Sequence, residues 1–556
     1  MKPLFSRSVI FVVAAFFSVA AIPSTACGAM SDQELEAIVA KRLKGDRTGA
    51  NLAVAYIEGS HVARAFVAAG EGADALRIGP ASAFEIGSVS KTMTAALLAD
   101  LILRGEASLD DPLSDWLPRG TRVPDFEGQA ILLRHVVTHT SGLPALPSRM
   151  PLADLVNPYA QLTEENLLAS LEDVQLSAPP GTQHAYSNFA TMLLSYALAQ
   201  HANTDFETLV RERLFVPLGM SGAYVEERPK GVRTAVGHTP YDRQPTASWV
   251  FPAKLAGVGG VRATLDDMVR YVQAQLAPPS EGIGPALRLT QERLQEGRIS
   301  LGMNWMQRSA GELSLNYHGG ETGGFSAFVA FDREAQRGVV ALSDTAWGAL
   351  GGLGNFAVHL LAPNAVPLDA PRRELAPPQE LIDALVGQYL LGGVMPMTLT
   401  VRDGALYVQA QGQPEYEMGY DSAGEFFALG FDAVLSPNEA GGVRSFVWTQ
   451  GGGTIPATRV DPDQGPPESA LSESELAAYV GKYPLMPGFV LTIRVKAGRL
   501  EAQATGQGAF PLQHSGEDQF AASAFGIEIH FNRDAKGQVG SLTLHQSGQS
   551  LNGKRE

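Results

Sequence analysis

A serine three positions ahead of a lysine, in Ser88-Val89-Ser90-Lys91, opens a stretch whose pattern predicts a helix from Ser88 to Arg104. That spacing puts both side chains on one face of the first turn. A helix N-terminus favours an oxyanion, and the lysine can hold or release a proton. A hydroxyl is almost fully protonated at neutral pH, so a nucleophilic serine needs such a base beside it. By itself the spacing is common, and an exposed helix start explains it equally well. Two further elements follow. Tyr186-Ser187-Asn188 ends the turn-rich run that begins at Pro179, just ahead of a predicted helix, and His318-Gly319-Gly320 leads into a strand.

The elements that must position these residues alternate along the chain. Ser31-Asp32-Gln33-Glu34 reads as a capping box opening a helix towards Lys44. Leu52 to Glu58 and His61 to Ala69 alternate as paired strands. Phe189 to Gln200 and Asp205 to Leu214 have helical periodicity, Phe325 to Asp332 and Gly338 to Ser343 read as an antiparallel pair, and Leu350 to Leu361 returns as a helix. Strands at both ends of a helical middle predict an α/β sandwich on a mainly antiparallel sheet.

Residues 363–378 are Pro-rich and read as a linker, the stretch from Ala362 to Pro378 holding five prolines. Beyond it the chain repeats. Leu385-Val386-Gly387-Gln388-Tyr389 matches Tyr479-Val480-Gly481-Lys482-Tyr483, 94 positions on. The same offset aligns Gly404 with Gly498, Gly412-Gln413 with Gly506-Gln507, Phe426 with Phe520, Phe431 with Phe525 and Asn438 with Asn532. Short alternating runs in each copy predict two small all-β barrel-like domains, 379–461 and 468–550, joined through Asp461 to Pro467.

With 556 residues, several domains are expected. The composition is that of a globular chain, 45% hydrophobic and 18% charged. A net charge of −16 without a basic run argues against nucleic acid and anionic membrane as partners. Residues 1–29 read as a secretory signal: Lys2 and Arg7, an apolar run from Val9 to Ile22, then small residues, with cleavage after Ala26 or Ala29. No transmembrane segment is expected once it is removed. Cys27 is the sole cysteine, which excludes an intrachain disulfide. Lipid anchoring at Cys27 is disfavoured because Ser24 stands where an aliphatic residue is expected. The chain is therefore expected in the periplasm or secreted.

The three motifs in order resemble the serine β-lactamase and DD-peptidase superfamily, whose signatures are Ser-x-x-Lys, Tyr-x-Asn and Lys-Thr-Gly or His-x-Gly. The segments from Arg134 to Pro144, from Ala256 to Val261 and from Thr264 to Met268 look similar to its class C-like branch. The resemblance covers residues ~32 to ~362 and implies a β-lactamase/transpeptidase-like fold over 30–362. It implies that Ser88 is acylated, that Lys91 and Tyr186 share the proton work, and that His318 belongs to the catalytic set. The backbone N–H groups of Ser88 and Glu321 would hold the oxyanion. Gly319 and Gly320 would let substrate approach the strand, and Asn188 would bind a substrate amide or steady Lys91. The C-terminal repeats resemble lipocalin-like domains appended to some members.

No cofactor and no metal are expected. His135 and His139 are four apart, but the glutamate of His-Glu-x-x-His and a third ligand are missing, so packing explains them better. Trp305 could line the site or the core. His318-Gly319-Gly320 stands where a Lys-Thr-Gly strand would offer a cation and a hydroxyl to a substrate carboxylate. The function expected is hydrolysis of amide bonds in a small peptide, or of esters, through a Ser88 acyl-enzyme. Carboxylesterase is the alternative; β-lactamase, DD-carboxypeptidase or penicillin-binding sensor ranks lower. Natural substrate and oligomeric state are not legible.

Overall fold

The computed structural model describes the chain from residue 29 onward, apart from 45, 47, 71–75, 152–156, 240–243, 279, 281, 298–299, 347–352, 369–374, 393–394, 411–414, 422, 429–432, 439–444, 451–452, 461–470, 487–488, 497, 506–508, 523–526, 535 and 547–548. The signal reading with Cys27, the second linker, and the repeat positions Gly412, Gln413, Phe431 and their counterparts lie outside the described residues. No helix among the described residues is long and apolar enough to cross a membrane.

Seven antiparallel strands form the central sheet of the first domain, in the order His61–Ala68, Asn51–Glu58, Arg337–Ser343, Ser326–Asp332, Leu313–Glu321, Met306–Ala310, Ser300–Leu301. Alternation along the strands sorts side chains into two cores. Ala53, Ala55, Ile57, Val329, Phe331, Val340 and Leu342 face the helical middle of the chain. Leu52, Val54, Tyr56, Phe328, Ala330, Val339 and Ala341 face the terminal helices Asp32–Leu43 and Gly354–Leu361. Ser31 caps the first helix with the expected box: its Oγ accepts from Glu34 N while Glu34 accepts from Ser31 N at 2.7 Å.

The helix after the candidate nucleophile is buried almost all round, with Met93, Ala95, Ala96, Leu97, Leu98 and Ala99 between 0 and 2% exposed. A helix apolar on every face belongs in the centre of a domain. Its start differs from the sequence reading. Gly87–Val89 forms a single 3₁₀ turn and the α-helix runs Ser90–Leu103. The helix predicted from Phe189 to Gln200 gains a residue at each end: it is Asn188–His201, and Ser187 caps its start by accepting from Ala190 N at 2.9 Å. Trp305 is fully buried, packing on Tyr271 and edge-on to Phe331, so it belongs to the core.

Both C-terminal repeats are eight-stranded. The first is a closed barrel in which Gly387–Leu391 pairs with Gly453–Arg459. The second curls until its edges meet, Glu556 N donating to Lys482 O at 2.9 Å. Gly404 and Gly498 take the same left-handed turn, with φ of +82° and +72°, and Phe426 and Phe520 are both buried. The repeat extends to a hydrogen-bonded plug. Tyr389 Oη donates to Leu385 O, and Tyr483 Oη to Tyr479 O, each at 2.8 Å. Arg459 donates to Ala384 O and Val386 O, and Arg555 to Ala478 O and Val480 O. In each copy an arginine from the chain's return thus satisfies carbonyls left at the end of the short helical entry segment.

Hydrogen bonds from a charged group contribute about 1.5–3 kcal/mol. Arg459→Ala and Arg555→Ala are each expected to destabilise their own barrel by about that amount, read as a lowered urea midpoint. A midpoint unchanged in both variants would show that the plug is not needed.

Candidate active site

The nucleophile turn is pressed directly against the Leu313–Glu321 strand, and two glycines make this possible. Gly87 has φ +49°, and a Cβ there would lie 2.6 Å from Glu321 N and 2.7 Å from Glu321 O. A Cβ on Gly320 would lie 2.0 Å from Ile86 O and 2.9 Å from Ser88 N. The backbones at Ser88 and Glu321 therefore meet without intervening side chains, as an oxyanion site from those two amides requires. This revises the expectation for Gly320: its missing side chain makes room for the chain's own backbone. A Cβ on Gly319 would meet Phe328 at 3.6 Å and Ala327 O at 3.9 Å, both ordinary contacts.

Lys91 lies one helical turn from Ser88 and is fully buried. Its Nζ is 2.8 Å from Ser88 Oγ and donates to Val258 O at 2.7 Å. Burial lowers it to about 7. The Val258 carbonyl reaches this place because Gly257 lets its turn approach the helix; a Cβ there would lie 2.5 Å from Thr94 Oγ1 and 2.7 Å from Ser195 Oγ. The segment singled out from Ala256 to Val261 is thus a support for the lysine. Asn304, which the sequence reading passed over, donates from Nδ2 to Lys91 O at 3.0 Å.

The Tyr186 hydroxyl lies close enough to Ser88 to interact with it, and the ring centroid is 5.2 Å from Lys91 Nζ. The residue is 37% exposed, so part of it borders the cleft. Burial of the hydroxyl end raises it above the ordinary tyrosine value, the Ser88 contact working the other way. A nearby ammonium would make a tyrosine easier to ionise; here desolvation is the larger effect.

His318 is 2% exposed, with its ring centroid 6.4 Å from that of Tyr186. Its Nδ1–H donates to Gly319 O at 2.6 Å. Burial, with the Lys91 charge nearby, pushes it down to about 4. Asn188 donates to Tyr159 Oη at 3.3 Å, and its Oδ1 is buried with no partner among the described protein atoms. The structure thus gathers Ser88, Lys91, Tyr186 and His318, with Gly320 and Glu321 behind the serine.

Glu85 and Arg262 also went unnoticed in the sequence. They form a buried pair at 3.2 Å. Burial raises the Glu85 carboxyl, with Arg262 opposing it. Glu85 accepts from Trp249 N at 3.0 Å and Arg262 donates to Trp249 O at 2.6 Å. This clamp ties the strand before Ser88 to the loop carrying Trp249, whose Nε1 would stand 2.9 Å from a Cβ on Gly323. No cluster of three metal-ligating side chains occurs among the described residues.

A profile of the Beta-lactamase family matches residues 35–360. The chain belongs to the beta-lactamase family. It is a serine hydrolase by that membership. It is 31% identical to the D-alanyl-D-alanine-carboxypeptidase/endopeptidase AmpH of Escherichia coli (strain K12) over 270 residues, 45% of this chain and 67% of that protein. It is 29% identical to a beta-lactamase of the same organism over 317 residues, 49% of this chain and 80% of that protein. The match to Penicillin-binding protein 4* of Bacillus subtilis (strain 168) is 25% over 421 residues, 68% of this chain and 88% of that one. Residues 465–555 match a domain of unknown function, DUF3471, a description that is not specific to lipocalins.

Three outcomes are expected from this geometry. Gly320→Ala forces apart the Ile86 carbonyl and the strand, so turnover should fall on the order of 100-fold, as for a 1 Å displacement of reacting groups; wild-type kcat would refute the contact. The neutral amine of Lys91 is the form that accepts a proton, so kcat/KM should rise with pH through about 7. Between that value and the ordinary 10.5 the unfolded chain binds more protons at this site than the folded one, so its contribution makes stability rise with pH across that window. A flat rate profile from pH 6 to 8 would show that Lys91 does not titrate there.

Proposed function

We propose that this member of the family is a secreted peptidase, hydrolysing amide bonds of small peptides through a Ser88 acyl-enzyme. The observation that carries the reading is a buried lysine held near neutrality 2.8 Å from a serine hydroxyl. Ser88 Oγ attacks the carbonyl carbon, and its proton passes to Lys91 directly or through Tyr186. The oxyanion is received by the Ser88 and Glu321 backbone N–H groups. Collapse of the tetrahedral intermediate expels the amine, which takes a proton from the Lys91–Tyr186 pair. Water attacks the acyl-enzyme by the same route in reverse. Lys91 suits the part of base better than Tyr186, since burial lowers the amine and raises the phenol.

Substrate choice follows from His318. A group pushed down to about 4 is neutral at physiological pH. It offers no fixed cation to a substrate carboxylate at the place where Lys-Thr-Gly members present one. Loss of a charge-assisted hydrogen bond, about 1.5–3 kcal/mol, lowers the rate on carboxylate-dependent substrates by about one to two decades. The carboxypeptidase/endopeptidase name of one relative supports peptides; the beta-lactamase name of another favours the lower-ranked reading. Esters are the second choice, because an acyl-enzyme mechanism accepts them readily. The C-terminal repeats, 379–461 and 468–550, are proposed to shape access for larger substrates.

The test is a panel of D- and L-amino-acid peptides, chromogenic esters, penicillins and cephalosporins. Linearised microcystin belongs among the peptides, because the layout resembles that of the secreted peptidase that opens it. Peptides should be turned over fastest, esters next, and β-lactams at least about tenfold more slowly. Ser88→Ala should lower turnover by about 10⁴-fold or more and abolish fluorophosphonate labelling. Efficient β-lactam hydrolysis with peptides and esters untouched would reverse the substrate reading. Retained activity in Ser88→Ala would end the site assignment.

A further inference from the structure

His139 lies in the segment between Arg134 and Pro144, where the sequence alone suggested packing. The short helix Leu133–Val137 ends just before it, and His139 takes a left-handed conformation with φ +52°. That position usually favours glycine or asparagine. A bulkier side chain held there points to a role for the side chain itself.

Its contacts converge on one residue. The His139 carbonyl accepts from Ala185 N at 2.8 Å, and its Nδ1 accepts from Ser187 N at 3.2 Å. These two bonds bracket Tyr186 on either side. The imidazole also lies over the Tyr186 ring, with centroids 4.3 Å apart and planes at 32°. His139 is 2% exposed. Because Nδ1 is an acceptor, the proton of the neutral ring sits on Nε2, which finds no partner among the described protein atoms. Burial, then the charges of Lys91, His318 and His184, hold the ring well below the ordinary histidine value. It therefore stays neutral and keeps Nδ1 free to accept.

We propose that His139 is the positioning residue for Tyr186, gripping the backbone on both sides of it and stacking on its ring so that the hydroxyl stays on Ser88. The inference rests on Ser88 being the nucleophile. Tyr186 begins no helix turn of its own; the helix starts at Asn188. Without His139 the tyrosine would lose the frame that holds its hydroxyl towards Ser88.

The experiment measures the rate of fluorophosphonate labelling and the steady-state kcat and KM of the full-length protein on a chromogenic ester. His139→Asn tolerates the left-handed backbone and can still accept from Ser187 N, but it lacks the ring. His139→Phe keeps a ring of similar size and lacks the acceptor. Both should slow labelling and kcat by about 10- to 100-fold, with KM within about threefold of wild type, as for a group that acts on the chemical step. On a Tyr186→Phe background, His139→Asn should add less than about twofold, because the two act as one unit. If His139→Asn does not fold, His139→Phe carries the same comparison. Labelling in either folded variant within about twofold of wild type overturns the proposal, as do fully additive losses with Tyr186→Phe. Wild-type protein that fails to label at Ser88 overturns the nucleophile reading, and this inference with it.

Discussion

An ammonium taken out of water without a carboxylate beside it is strongly disfavoured, and the site is arranged around that constraint. Lys91 is fully buried and its bonds go to a serine hydroxyl and a backbone carbonyl. Neither supplies a full negative charge. The chain therefore holds the amine near neutrality, and the neutral amine is what a serine nucleophile requires. The surroundings obey the same rule. His318 and His139 are themselves pushed towards the uncharged form, by burial first and by Lys91 second. A carboxylate placed in this cluster would fix the lysine as a cation and remove the base.

Keeping that amine dry needs a helix with no wet face, and a helix with no wet face needs neighbours on every side. The helices Gly284–Thr290 and Asn188–His201 pack against it, as does the turn Ala256–Val258, with Trp305 in the same cluster. Close approach comes from glycines at three junctions. Gly87 and Gly320 let the serine turn rest on strand backbone, and Gly257 lets a carbonyl reach the amine. The 3₁₀ turn at Gly87–Val89 follows from the same packing, since the turn must bend to meet Gly320 before the α-helix can begin.

The parts that could be read from the sequence are those carried by short-range spacing. Ser88 and Lys91 are three apart, the strands alternate locally, and the capping box at Ser31 spans four residues. The register of the C-terminal repeat was visible because Tyr389 and Tyr483 stand at one offset. The plug arginines escaped notice because Arg555 follows Arg459 by 96 positions rather than 94, so no single register aligns them. Glu85 with Arg262, Asn304 with Lys91, and His139 with Ser187 join residues 177, 213 and 48 positions apart. Nothing local marks such pairs. His139 was also masked by His135, four positions earlier, which invited a metal reading; His135 in fact accepts from Leu132 N.

The two imidazoles beside the lysine hold opposite tautomers, and each is set by one backbone contact. His318 spends its Nδ1 proton on the Gly319 carbonyl, leaving Nε2 as its acceptor. His139 accepts on Nδ1, leaving its proton on Nε2. Neither ring can exchange these roles without breaking a backbone hydrogen bond in a buried place, where an unpaired group costs about 1–3 kcal/mol. The site thus sets a neutral donor, His139 Nε2–H, and a neutral acceptor, His318 Nε2, on rings that both neighbour Tyr186. A proton leaving Ser88 meets Lys91 as the one group among these whose affinity lies near 7. On the proposed mechanism the histidines, held well below it, have no comparable claim on that proton, so the lysine would receive it and return it to the leaving amine.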